Sequence, residues 1–286
     1  MTVDAHHHLW DLDHRDQDWI TDGVLRRTFT TTDLEPLAKA SGITRTVLVQ
    51  TITVPEETPE FLAIAEDTDL IGAVVGWTDL TAPAITDTLA ALKDTRGGRW
   101  LRGIRHQVQG EPDPEWLCRK DVWHGLAALG RAGLVYDLLT LPHQLPAARR
   151  TVAALPNVRF VADHCSKPPL ASGDLAEWAE LIRSLAAHDN VTCKVSGLVT
   201  EANWQTWTVN DLRQAFEVVL DAFGPERLMF GSDWPVCLLA AEYSDVLAAA
   251  KDLTSELSPA EQDMIFTNTA TEVYNMATTT GPADDW

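Results

Sequence analysis

Four side chains in this sequence have the types and spacing to act together on a polarised carbonyl: His6, His8, His164 and Asp233. His6 and His8 lie two apart in a short apolar run, so on a strand the pleat points both imidazoles to the same side. A metal ion or a carbonyl oxygen could sit between them; the plainer alternative is that one ring is a packed core histidine. Asp233 closes an apolar run in LMFGSDWP, where it could bind a metal or take a proton, or, with Pro235 close behind, cap a helix. His164 ends VRFVADHCSKPP and adds a third imidazole. Its neighbour Asp163 is expected to point the opposite way, as a supporting or helix-facing group. Lys167 is expected at the rim, either extended into solvent or paired with an anionic group.

Other polar residues fall in similar apolar runs. GIRHQ supplies Arg105 and His106, VYDLLTLPH supplies Asp137, and TCKVSGL supplies Lys194. Arg105 could polarise a carbonyl or hold a carboxylate, or else be a buried partner of Asp137. Trp10, Trp77 and Trp234 recur near the ends of such runs and could offer flat faces to a sugar ring, with core packing as the alternative. His143 sits just beyond its run, and His14, His124 and His188 read as surface residues. No GxSxG elbow, Walker loop, HExxH helix or cysteine-nucleophile constellation occurs, which argues against serine hydrolases, nucleotide enzymes and cysteine enzymes.

Eight elements are needed to position these groups. Apolar, β-branched runs near 2–8, 43–51, 70–77, 101–108, 134–141, 158–164, 191–197 and 228–233 read as strands. Amphipathic stretches such as DLEPLAKASG, DVWHGLAALGRAG and VNDLRQAFEVVLDAFG alternate with them. Eight βα units predict a parallel sheet closed into a single-domain (β/α)8 barrel over residues 1–286. An open doubly wound sheet would want a glycine-rich phosphate loop after its first strand, where DAHHHLWDL stands instead. In a closed barrel the eighth strand lies beside the first, which would bring Asp233 to His6 and His8. The connection from Asp11 to Thr32 is long enough to overhang the C-terminal mouth as a lid, and a second long one runs from Gln109 to Lys120. Residues 258–276 read as a closing helix, and 278–286 as a frayed tail.

Composition sets the outer limits. The chain has 286 residues, 45% hydrophobic and 22% charged, with 42 acidic against 22 basic side chains and a net charge of −20. Such a field repels phosphate backbones and anionic bilayers, so neither nucleic acid nor a membrane is an expected partner. No run reaches the ~20 apolar residues of a membrane span, and the first residues lack a basic-then-apolar signal, so a cytoplasmic location is expected. Cys118, Cys165, Cys193 and Cys237 have no CxxC spacing and are expected to stay reduced.

Taken in order, DAHHHLWDL, GIRHQ, DHCSKPPL, KVSGL, MFGSDWPV and NTATEVY closely resemble the amidohydrolase-2 family, and the likeness spans nearly the whole chain. Within that family the sequence is most similar to the sugar-lactone hydrolases, such as fuconolactonases and rhamnonolactonases, and to the pyrone-dicarboxylate lactonases. The resemblance implies a (β/α) barrel with His6, His8, His164 and Asp233 as its site. It also implies one divalent metal ion, such as zinc, or none, because the chain lacks the fourth-strand Lys and fifth-strand His that hold two metals elsewhere in the superfamily. The expected activity is hydrolysis of a sugar-derived lactone to its hydroxy acid. In this scheme Asp233 is the base, the imidazoles polarise the carbonyl directly or through the metal, and Arg105 and His106 orient substrate, with Asp137 and Lys194 as further contacts. A small neutral lactone suits the acidic chain better than a dicarboxylate. The alternatives are a metal-dependent decarboxylase or amide hydrolase of the same superfamily, and a catalytically silent sugar-binding barrel. Assembly into a homo-oligomer stays open.

Overall fold

The computed structural model describes residues 2–276. Its eight strands are β1 (Val3–His7), β2 (Arg45–Val49), β3 (Ile71–Gly76), β4 (Leu101–His106), β5 (Val135–Leu138), β6 (Arg159–Ala162), β7 (Val191–Val195) and β8 (Leu228–Phe230). They lie in sequence order in one sheet, and each paired neighbour is parallel. Parallel pairing requires a crossover after each strand, and the amphipathic segments supply it. The helices are α1 (Thr31–Ala40), α2 (Glu57–Glu66), α3 (Ile85–Asp94), α4 (Lys120–Arg131), α5 (Leu145–Ala154), α6 (Ala176–Ala186), the single turn α7 (Leu198–Glu201), α8 (Val209–Phe223) and α9 (Tyr243–Leu253). The ring closes just beyond β8, where Asp233 N–H donates to His6 O (2.8 Å) and His8 N–H donates to Trp234 O (2.7 Å). The expected barrel is the observed one.

Two apolar layers hold it. Strand residues facing the helices pack against them in one continuous core that includes Leu48, Val74, Ile104, Leu126, Phe160 and Phe216. A second, smaller cluster gathers Val47, Val49, Val75, Val135, Val161 and Met229 with Tyr274 and Met276. These last two follow the closing segment, which is one helical run interrupted by a π turn: α10 (Pro259–Asp263), Met264–Asn268 and α11 (Thr269–Val273). The Tyr274 hydroxyl donates to both carboxylate oxygens of Asp137 (3.0 and 2.9 Å), so the closing segment meets the polar centre of the barrel. The expected frayed tail, 278–286, lies outside the described residues.

One local feature departs from the expected strand pattern. β6 stops at Ala162, and the next residues include four consecutive non-glycine positions in the left-handed region: His164 (φ 53°), Cys165 (52°), Ser166 (54°) and Lys167 (56°). An L-residue pays about 1–2 kcal/mol for each such conformation. The surroundings hold the turn: Lys167 N–H donates to His164 O (2.8 Å), and the buried Trp178 Nε1–H donates to Cys165 O (2.8 Å). Replacing Trp178 with Phe removes that donor and leaves the Cys165 carbonyl unpaired. We expect Trp178→Phe to lose about 1–3 kcal/mol in denaturant unfolding; unchanged stability would show that the turn needs no such tie.

Candidate active site

The four residues singled out by type and spacing meet at the C-terminal mouth of the barrel. Asp233 Oδ1 is the focus: His6 Nε2 lies 3.7 Å from it, His8 Nε2 3.4 Å and His164 Nε2 3.9 Å. His6 Nε2 and His8 Nε2 are 3.1 Å apart, as two inward positions on one strand allow. His7 faces outward, and its Nε2 meets Thr46 Oγ1 at 2.9 Å.

Neighbouring groups orient the rings. His8 Nδ1 lies 2.8 Å from Val49 O. A carbonyl only accepts, so this nitrogen carries the proton and the Nε2 lone pair points at the cluster. His164 Nδ1 pairs with Ser196 Oγ (2.9 Å). Two glycines make room for these contacts. A Cβ on Gly197, itself at φ 64°, would stand 2.7 Å from His164 Nδ1, and one on Gly231 would stand 2.7 Å from His6 Cβ. The Gly197→Ala variant is therefore expected to fold but to displace the His164 ring. Its kcat should fall at least tenfold as the site loosens, and an unchanged kcat would show that ring placement is not limiting.

Beneath the histidines lies a buried grid of charges. Arg105 donates to Asp163 Oδ2 (3.0 Å), Gln50 Oε1 (2.8 Å) and Gln50 O (2.5 Å), and its Nη1 approaches His6 Nε2 at 3.2 Å. Lys194 Nζ meets Asp137 Oδ2 (2.5 Å), Asp163 Oδ1 (3.0 Å) and His6 Nδ1 (3.2 Å). All these groups are buried. Burial pushes the Asp137 carboxyl up despite Lys194 beside it. Asp163 is also pushed up by burial, but Lys194, His6 and Arg105 outweigh this and hold it well below the usual carboxylate range. Burial raises Asp233 too, yet the three imidazoles bring it below that range.

Burial pushes His164 down to about 4, against the pull of Asp233 and Asp163. Because this folded value lies below the ordinary 6.5, the neutral ring contributes stability above pH 6.5, and that contribution is lost as pH falls toward 4. The melting temperature of chelator-treated wild type should therefore fall more steeply between pH 6.5 and 4 than that of a chelator-treated His164→Gln variant. Equal slopes in the two proteins would show that the ring is not buried in neutral form.

With neutral imidazoles, two cations face three carboxylates, so the site carries one excess negative charge out of water. Such a charge calls for a cation. The donor atoms suit one: those of His6, His8 and Asp233, and separately of His6, Asp163 and His164, all lie within 4.8 Å of one another. Imidazole nitrogen with carboxylate oxygen is a donor set for zinc and similar divalent ions.

The mouth opens into a cavity of about 230 Å³ whose walls include His8, His164, Asp233, Arg105, Lys167, Thr51, Gln107, Gln109, Thr200 and Trp19. Lys167 there is paired with Glu201 (2.9 Å). Several sequence-based expectations are corrected by these positions. Asp163 points inward rather than away: it keeps the alternation of the inward Val161, and it is His164, the first left-handed residue, that breaks the pattern and faces inward as well. Arg105 pairs with Asp163, not with Asp137, whose partner is Lys194. Asp137 and Lys194 lie fully buried in the charge grid and do not line the cavity. His106 is also off the cavity wall: its Nδ1 accepts from Trp77 Nε1 (3.0 Å), its Nε2 meets Glu111 Oε1 (2.7 Å), and its ring stacks on Trp116 at 4.3 Å. Trp10, Trp77 and Trp234 do not line the cavity either. Trp10 and Trp234 are buried on either side of Phe29 (5.2 and 5.3 Å), and Trp77 is held by its bond to His106. The wall positions of Gln107, Gln109 and Thr200 have no sequence signal, because uncharged polar residues in connections carry no distinctive spacing.

The family model for amidohydrolases matches residues 3–276. The chain belongs to the amidohydrolase family. This amidohydrolase is 40% identical over 287 residues to an L-fucono-1,5-lactonase of Burkholderia multivorans, covering 96% of each chain. It is 38% identical over 245 residues to an L-fucono-1,5-lactonase of Burkholderia ambifaria, covering 85% of this chain and 83% of that one. A crystal structure of a Burkholderia multivorans amidohydrolase with bound zinc matches it with a TM-score of 0.92 at 39% identity, over 97% of this chain and 100% of the other. Among the described residues, no helix is long and apolar enough to cross a membrane.

Proposed function

We propose that this amidohydrolase opens a neutral sugar-derived lactone, of the L-fucono-1,5-lactone kind, to its hydroxy acid. The observation that carries this is the convergence of three imidazole Nε2 atoms on Asp233 Oδ1 at the barrel mouth, in a chain whose relatives at 38–40% identity are L-fucono-1,5-lactonases. The cavity supports a neutral substrate. Its two cationic wall residues are already paired, Arg105 with Asp163 and Lys167 with Glu201, while Thr51, Gln107, Gln109 and Thr200 offer uncharged partners for hydroxyl groups.

Asp233 takes the proton of the attacking water as the water oxygen bonds to the lactone carbonyl carbon. The same carboxylic acid then returns a proton to the ring oxygen as the acyl C–O bond breaks. Arg105, fixed by Gln50 and Asp163, keeps His6 in place and presents positive charge to the cavity wall. His6, His8 and His164 with Asp233 would hold one divalent ion, which we assign as zinc, a choice supported by the zinc in the related amidohydrolase structure. Such an ion lowers the pKa of water toward ~7 and polarises a carbonyl. A carboxylate oxygen facing the Nε2 atoms of three imidazoles is a set of electron-pair donors turned on one point, which is the chemical reason to expect a cation there.

Asp233→Asn should lower kcat for L-fucono-1,5-lactone by about 10²–10⁴-fold in a pH-indicator assay, with the circular dichroism spectrum unchanged; retained turnover would remove Asp233 as the proton carrier. In the wild-type protein, metal analysis should find about one divalent ion per chain, and a chelator should abolish activity that added Zn²⁺ restores. Full activity in metal-free protein would instead leave the imidazoles as the sole polarising groups.

A further inference from the structure

We infer that Trp19, carried on the connection between β1 and α1, is the platform on which the substrate ring stacks, and that Gln17 sets the plane of its indole. The identity of the ring rests on the lactonase reading above. Among the described residues lining the cavity, Trp19 is the one indole or phenyl ring, and it shares that wall with His8, His164 and Asp233. A large apolar ring normally withdraws from water, yet Trp19 is 40% exposed.

The exposed ring is nonetheless firmly anchored. Its Nε1–H donates to Gln17 Oε1 (2.9 Å), and Gln17 is itself only 3% exposed. Its ring stands nearly perpendicular to that of Trp10, with centroids 5.5 Å apart and an interplanar angle of 84°. Trp10 is pinned by Nε1–H donation to Arg27 O (2.7 Å) and by paired backbone bonds with Phe29 (3.0 and 2.8 Å). Arg26 Nη1 donates to Ile20 O (3.0 Å), closing the same segment on itself. An indole fixed at its polar edge, with open surface over a polar cavity, is preorganised for a flat partner and loses little entropy on contact.

A sugar lactone has the matching two-sided chemistry. Its hydroxyls can bond to Thr51, Gln107, Gln109 and Thr200, while the C–H face of its ring, extended by any deoxy carbon, can lie on the indole. A ring bearing a carboxylate toward Trp19 would lose water there without gaining a partner. The connection is thus assigned a selective role, favouring neutral rings with an apolar face.

The experiment compares wild type with Trp19→Ala, Trp19→Phe and Gln17→Leu on L-fucono-1,5-lactone. Trp19→Ala should lower kcat/KM about tenfold through KM, with kcat within about threefold, because stacking acts on ground state and transition state alike. Trp19→Phe should keep most of the affinity. Gln17→Leu should fall between them with the same KM-only signature, which mere destabilisation would not give. An unchanged KM in Trp19→Ala, or a loss confined to kcat, overturns the proposal. If wild type hydrolyses no lactone, the functional reading fails separately, and the platform is judged by calorimetric titration with L-fucose, a neutral six-membered ring with the same deoxy carbon. Weaker binding to Trp19→Ala than to wild type then upholds it, whereas equal affinity, or no binding to either protein, overturns it.

Discussion

The structure is organised around negative charge that has been taken out of water. Asp137, Asp163 and Asp233 are buried with only Arg105 and Lys194 as fixed cations. Isolated ions in such a place would cost several kcal/mol each. Their cost is kept low by mutual contact: Lys194 bridges Asp137 and Asp163, and Arg105 shares Asp163 while also using both oxygens that Gln50 offers. What remains uncompensated is Asp233, next to the open cavity and ringed by three imidazoles. The residual charge therefore appears where a cation and a reacting carbonyl can reach it.

This arrangement demands unusual backbone. β1 and β8 must close tightly enough for His6, His8 and Asp233 to share one point, and the bonds around His6, His8 and Trp234 achieve this with Asp233 itself in a left-handed conformation (φ 58°). Two strands from β8, the left-handed turn after β6 delivers Asp163 and His164 to the barrel interior in succession. A regular strand could deliver only one of the two. Unfavourable conformations are thus concentrated at the site, where the helices and the closing segment over-determine them.

Much of this was legible in the sequence. Short apolar, β-branched runs alternating with amphipathic stretches are enough for the strand order and the barrel, and barrel closure places Asp233 by His6 and His8. The inward position of Asp163 is hidden because alternation counted back from His164 fails at a left-handed residue that no local signal announces. Arg105, Lys194 and Asp137 were recognised as polar residues in apolar runs, but their pairing depends on side-chain length and on which strands face each other. The tryptophans show the same limit: Trp10 and Trp234 sit beside the site in sequence, yet their rings satisfy the aromatic cluster around Phe29, and it is Trp19, on an irregular connection, that reaches the cavity.

The site is built in two tiers. The charge grid is buried and interlocked, so nearly any single replacement strands an ion; the walls above it come largely from connections and carry uncharged amides, hydroxyls, the paired Lys167 and one indole. Chemistry and selectivity can therefore drift at different rates. Gln107, Gln109, Thr200 and the 11–32 connection can be exchanged to accept another ring while the reactive machinery stays untouched, so this barrel offers a starting point for retargeting in which the library belongs on the rim and the floor is left alone.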